Sequence, residues 1–279
     1  MAKVICAMSG GIDSSAAAAL LKRAGFDVIG VFMKFWSEPS KDSLVGASNR
    51  CCSPEAELRA RKVAKILKIP FYVFDFSKEF KKKVVDYFLK SLKMGETPNP
   101  CVICNKEIKF GILLKKALNL GLDYVATGHY ARVKKVKNEF HLFSAQKFNL
   151  PVLDAKKSVE ICFVRNTLND FLKKYLKEKP GKIVDQDGKI LGEHRGLWFY
   201  TIGQRKGLFL PKGPWWVLKK DLRKNLLIVT KKKEDLLKKD LICHKVNWIG
   251  KISKFPLEVL AKIRYQSDLA KAKVFPISN

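Results

Sequence analysis

Two groups of residues in this chain have the types and spacing that chemistry needs. The first is Ser9-Gly10-Gly11-Ile12-Asp13-Ser14-Ser15, a glycine turn flanked by hydroxyls. Glycine permits the tight turn and lets backbone N–H groups come close to an anion. A helix starting near Asp13-Ser14 would offer unsatisfied N–H groups and a positive dipole end to phosphate oxygens. The Gly-Lys-Ser/Thr ending of a Walker loop is absent, so the turn is of another phosphate-binding type. The second group is made of thiols. Cys101 and Cys104 stand at CxxC spacing between the prolines of Thr97-Pro98-Asn99-Pro100 and an apparent helix, and Cys162 lies far along the chain in Ser158–Val164. A thiol near a helix N-terminus with lysines close by has a lowered pKa and a more nucleophilic thiolate. Two distant cysteines beside a nucleotide site suit sulfur transfer, one thiol carrying a persulfide and the other attacking it. The same three thiols could instead hold an iron–sulfur cluster with one open iron. A zinc site would want a fourth ligand at similar spacing, and none is evident.

These residues need elements to hold them. Lys3–Ala7 is a short apolar run ending at the glycine turn, Ser14–Ala24 is alanine-rich and helical, and Val28–Met33 is a β-branched and aromatic run. Helical spacing recurs over Glu55–Leu67, Lys78–Leu92 and Ile108–Leu120, with strands expected at Phe71–Phe76 and Tyr124–Ala126. Strands alternating with helices predict a parallel sheet with ligands at the carboxyl ends of the strands, where Thr127-Gly128-His129 falls. Ser158–Val164 reads as a short apolar strand. After Tyr130 the texture changes to a hairpin, Ala131–Val136 and Glu139–Ser144 with Asn138 in its turn, then a helix at Asn169–Lys177, then short strands with glycine turns. The expected organisation is a catalytic α/β domain over residues 1–165, a small β-rich domain over 166–232 and the start of a β-barrel over 233–279.

Composition bounds the partners. The 279 residues carry 55 Lys+Arg against 26 Asp+Glu, a formal charge of +29 spread along the chain, and a basic surface of that size attracts polyanions, nucleic acid first. Runs such as Lys81-Lys82-Lys83 read as solvated faces. The apolar runs are too short for a signal peptide or a membrane span, so a cytoplasmic location is expected, with no membrane partner. Seven cysteines, an odd number, argue against a disulfide framework. Cys6 and Cys243 sit in apolar runs and read as buried, and Cys51-Cys52 read as structural. Trp198, Phe199 and Trp215-Trp216 are expected in a β-domain core, with base stacking as the alternative.

The glycine turn resembles the SGGxDS pyrophosphate loop of the N-type ATP pyrophosphatases. With the thiols, the resemblance narrows to the tRNA-specific 2-thiouridylase family. It is carried in order by Ala7–Ser15, Met33, Cys51-Cys52-Ser53, Thr97–Phe110, Thr127–Arg132, Glu160–Val164, Tyr200–Gly207 and Ile263-Arg264-Tyr265. The resemblance implies an adenine nucleotide alpha hydrolase-like fold and ATP-dependent 2-thiolation of the wobble uridine of tRNA, with Mg²⁺ and a persulfide donor protein. It implies Cys104 as nucleophile and Cys162 as persulfide carrier, a pair able to form a disulfide. It also implies ATP contacts from Ala7, Met8, Ser9, Gly10, Gly11, Ile12, Asp13, Ser14, Met33 and Gly128. Asn99, Pro100 and Cys101 match the stretch that meets the target base, and His129, Arg264 and Tyr265 match tRNA contacts.

The chain departs from the family pattern in three places. Many relatives have aspartate where Cys101 stands, which leaves Cys101 outside the catalytic pair. Roughly fifty family residues are expected between Gln146 and Lys147, and several tens beyond Asn279. Those gaps keep in play a catalytically impaired tRNA-binding remnant or fragment of such an enzyme; the loop alone also suits another adenylating enzyme of the same superfamily, and thiolation of cytidine instead of uridine is a third alternative.

Overall fold

A computed structural model describes residues 1–38, 52–136, 139–144, 161–164, 167–244, 246–249, 254–263 and 268–277. The chain packs as two compact units, Met1–His129 with Asp154–Lys239, and Tyr130–Leu153 with Asp240–Asn279.

The first unit is built on a parallel four-stranded sheet. Its strands are β1 (Lys3–Ala7), β2 (Asp27–Lys34), β3 (Phe71–Asp75) and β4 (Tyr124–Thr127), in the order β3-β2-β1-β4. The near-continuous apolar run of β1 follows from burial on both faces. Val4, Cys6 and Met8 face α1 (Ile12–Arg23) and α2 (Pro54–Ile66), while Ile5 and Ala7 face the opposite layer. Alanines at 56, 60 and 64 form one stripe on α2, and Ser53 caps that helix by accepting from the Ala56 N–H at 3.1 Å. Burial pushes the Cys6 thiol up to about 11, so it is an inert core group.

The opposite layer holds two helical runs. The first comprises α3 (Ser77–Phe80), a π-helical segment Lys81–Val85 and α4 (Asp86–Lys93). The second comprises α5 (Pro100–Ile103), a π-helical segment Cys104–Ile112 and α6 (Leu113–Asn119). The second run begins at Pro100, eight residues before the start expected from periodicity. Pro at the first helical position and an Asn99 cap, whose Oδ1 accepts from the Val102 N–H at 3.2 Å, are what start it there. Cys101 and Cys104 are therefore helical.

The same core continues through α7 (Leu168–Tyr175) into a second sheet of order β8-β7-β10-β9, formed by Gly181–Val184 (β7), Ile190–His194 (β8), Trp216–Asp221 (β9) and Leu226–Thr230 (β10). Phe199 is buried there, as expected of a core aromatic. The Tyr200–Gly207 turn is organised by Gln204, whose Oε1 accepts from the Thr201 N–H at 3.0 Å and whose Nε2 donates to the Lys206 carbonyl at 2.9 Å.

The second unit contains two antiparallel hairpins, β5 (Ala131–Val136) with β6 (Glu139–Ser144), and β11 (Leu257–Ala261) with β12 (Ala270–Val274). Asn138 lies outside the described residues. Cys243, expected to be buried, is exposed, because the apolar run around it belongs to no described strand or helix.

Candidate functional site

The glycine turn leaves the carboxyl end of β1 and enters α1, as the spacing required. Gly10 has φ +73°, and a Cβ there would stand 2.2 Å from the Ala56 carbonyl oxygen, so only glycine fits. The Ser14 hydroxyl accepts from the Ser9 N–H at 3.1 Å and donates to the Gly11 carbonyl at 3.1 Å, locking the turn. Gly11 caps α1 without a side chain, which leaves first-turn N–H groups directed at whatever lies above the loop. Across the sheet, a Cβ on Gly128 would fall 2.7 Å from the Ser14 N, so the end of β4 closes directly on the start of α1.

Beside this loop is a cavity of about 410 Å³, within the usual size of small-molecule sites. Its walls bring together Ala7, Met8, Ser9, Asp13, Ser14, Met33, Pro100, Cys101, Cys104, Gly128, His129 and Cys162. The two distant thiols and the glycine turn thus share one chamber. Gly10, Gly11 and Ile12 lie in the loop but off the cavity wall, and Asn99 caps the helix. Arg264 and Tyr265 lie outside the described residues, as does Cys51. Cys52 accepts from the Phe35 N–H at 3.3 Å, which fits the structural role expected of it.

Cys162 does not lie in a strand. Cys162 and Phe163 form a turn closed by the Val164 N–H on the Ile161 carbonyl at 3.0 Å. Of the apolar strand expected over Ser158–Val164, residues 158–160 lie outside the described residues, and the apolar side chains of the rest anchor a turn: Phe163 is 1% exposed, with its ring 5.9, 5.6 and 5.6 Å from those of Phe80, Phe88 and Phe171.

His129 shares a 2.7 Å hydrogen bond between its Nδ1 and the Thr127 hydroxyl, and its ring lies 5.5 Å from that of Phe110. Burial first, and the Lys109 charge second, hold its pKa below the ordinary histidine value. At neutral pH it is an uncharged ring at the cavity wall.

Sequence reasoning missed Asn105, Lys109 and Phe163 as cavity residues, whereas Thr127 falls at the strand end where a ligand was expected. For Asn105 and Lys109 the available signal was their spacing of four and eight residues from Cys101, which places all three along one side of a helix.

The described residues contain no group of three or more His, Cys, Asp or Glu side chains that could hold a metal ion. Cys101, Cys104 and Cys162 line one chamber, yet the described donors do not fit an iron–sulfur cluster. Among the described residues no helix is long and apolar enough to cross a membrane.

Residues 2–146 match the family model described as the tRNA methyl transferase HUP domain, and residues 169–231 match the tRNA methyl transferase PRC-barrel domain. The tRNA-specific 2-thiouridylase MnmA of Clostridium perfringens is 40% identical over 324 aligned positions, covering 99% of this chain and 88% of that protein. The chain belongs to the tRNA-specific 2-thiouridylase family. The 2-thiouridylases of Moorella thermoacetica and Clostridioides difficile are each 42% identical over 318 positions, with 98% of this chain covered and 88% and 87% of theirs. These alignments are longer than the 279 residues here, so the 2-thiouridylases carry segments this chain lacks. A nucleotide-binding α/β domain followed by a β-rich domain is the fold expected from the loop and the strand order, and both family matches agree with it.

Proposed function

We propose that the chain thiolates carbon 2 of the wobble uridine of tRNA, consuming ATP. The observation that carries this reading is the single cavity holding Ser9, Asp13 and Ser14 together with Cys104 and Cys162. The methyl-transferase wording of the domain descriptions finds less support in a chamber that pairs a pyrophosphate loop with two thiols.

The apolar wall around Met33 and Ala7 suits an adenine ring, and the loop N–H groups suit the phosphates. The uridine O2 attacks the α-phosphorus, and pyrophosphate leaves with the electron pair of the broken P–O bond. The first-turn N–H groups of α1 and the Ser9 and Ser14 hydroxyls stabilise that charge. Among the described residues Asp13 is the only carboxylate on the cavity wall, and one carboxylate plus substrate phosphates is the usual seat of Mg²⁺. When bound there, the ion neutralises pyrophosphate charge.

A donor protein loads Cys162 with a persulfide. Cys104 attacks the Cys162 sulfur, releasing hydrosulfide, which attacks carbon 2 as AMP leaves. Alternatively the terminal persulfide sulfur attacks carbon 2 first and Cys104 then cleaves the S–S bond. Both orders end with a Cys104–Cys162 disulfide that an external thiol must reduce. The uridine must leave the anticodon stack to enter the chamber, where Pro100 and Cys101 on the wall and the uncharged His129 ring would meet it.

The test is incubation with unmodified tRNA, ATP and a persulfide donor, followed by nucleoside mass spectrometry. The expected products are 2-thiouridine, AMP and pyrophosphate in equal amounts. Binding of tRNA without any of them would favour the remnant reading, and AMP formation unchanged by loss of the thiols would favour another adenylating enzyme.

A further inference from the structure

Cys104, Asn105 and Lys109 all reach the cavity wall. In an α-helix Cys104 would share its face with residues three and four positions on, Glu107 and Ile108. Neither is at the cavity. Ile108 is in the core, and Glu107 pairs outward with Lys83 at 2.7 Å.

What brings Lys109 onto the Cys104 face is the winding. Cys104–Ile112 is π-helical, closed by a bond from the Leu113 N–H to the Ile108 carbonyl, five residues back. Such winding stacks position 109 over positions 104 and 105, and π turns inside helices are frequent at functional sites. Gly111 permits it, since a Cβ there would stand 2.8 Å from the Lys106 carbonyl oxygen.

Lys109 is half-buried, whereas Lys106 on the same segment is exposed. Among the described residues Lys109 is the only lysine or arginine on the cavity wall, and it forms no ion pair. Its charge bears on His129, which follows Gly128, and Gly128 abuts the Ser14 N at the start of α1. Lys109 thus stands on the wall of the chamber that the loop also lines, where the loop supplies neutral donors and, among the described residues, the one other charged wall group is the Asp13 carboxylate.

We propose that Lys109, carried onto the Cys104 face by the π-helical winding, is a catalytic residue that contacts the ATP phosphates and stabilises the charge developing as pyrophosphate leaves. This rests on the reading of the chamber as an adenylation site. The lysine acts in adenylation, before any sulfur moves.

The test is single-turnover pyrophosphate release by the full chain with unmodified tRNA and ATP, without a sulfur donor. Lys109→Met is expected to slow release by roughly 100-fold, the usual loss for one charge-stabilising donor. Lys109→Arg is expected to restore part of it, and Lys106→Met to release at the parental rate. Gly111→Ala, which opposes the wide turn, is expected to resemble Lys109→Met. Thermal unfolding of each variant separates misfolding from lost chemistry, and Lys109→Arg keeps the test decisive if Lys109→Met is unstable. A folded Lys109→Met with parental release overturns the role of Lys109 and leaves adenylation standing. A parent chain that binds tRNA and ATP but releases no pyrophosphate overturns both.

Discussion

At the scale of single residues, histidines give the chain a definite response to pH. His194 is 1% exposed, its Nε2 bonds the Asn225 carbonyl at 3.1 Å, and its Nδ1 is buried without a partner among the described residues. Burial lowers its pKa, partly offset by the Asn225 bond, and burial likewise lowers that of His129. For both, the unfolded chain binds the proton more readily. The stability held by the neutral rings is complete above the ordinary histidine value, ~6.5. It is lost as pH falls through the lower folded values. Urea unfolding at descending pH should show the midpoint falling below that point, and His194→Gln should flatten the fall. Much of the cavity wall was legible, since a glycine turn after an apolar strand and cysteines in two distant segments are recognised by residue type and order. Cys243 was misread because an apolar run says nothing about whether a partner surface exists to cover it.

At the scale of elements, helices and turns aim the thiols. Phe163 occupies a ring cluster with Phe80, Phe88 and Phe171, and through its backbone it fixes the turn that presents Cys162. Phe163→Ala should cost roughly 3–5 kcal/mol of stability, as for other buried aromatic truncations. Phe163→Leu should cost less while still speeding alkylation of Cys162 relative to Cys104. A Cys162-to-Cys104 rate ratio unchanged from the parent in that variant would show that the ring does not hold the turn. The sheet order followed from strand–helix alternation. The start of the second helical run at Pro100 and its π winding did not, because a 3.6-residue period assumes α geometry throughout. The turn at Cys162 escaped notice because a short apolar run reads alike whether its side chains anchor a strand or a turn.

At the scale of the whole molecule, +29 charge on 279 residues is the dominant feature. Partners that neutralise phosphates release counterions, at about 0.7–0.9 logarithmic units of affinity per contacted phosphate for each logarithmic unit of salt. Affinity for tRNA should therefore fall steeply and linearly on a logarithmic plot between low and moderate salt. A flat plot would mean that the lysines are only solvated surface. Composition announced the polyanion, but not which surface meets it, since the excess lysine is spread along the chain.

The central claim is that one chamber performs adenylation and sulfur transfer in succession, and step-resolved turnover of the parent, Cys104→Ser and Cys162→Ser tests it most directly. With tRNA, ATP and a persulfide donor, the parent should form 2-thiouridine. Both variants should still release pyrophosphate in a first turnover, while making no thiolated product and no Cys104–Cys162 disulfide. Thiolated tRNA from either variant, or loss of the pyrophosphate burst from both while they remain folded, would contradict the account.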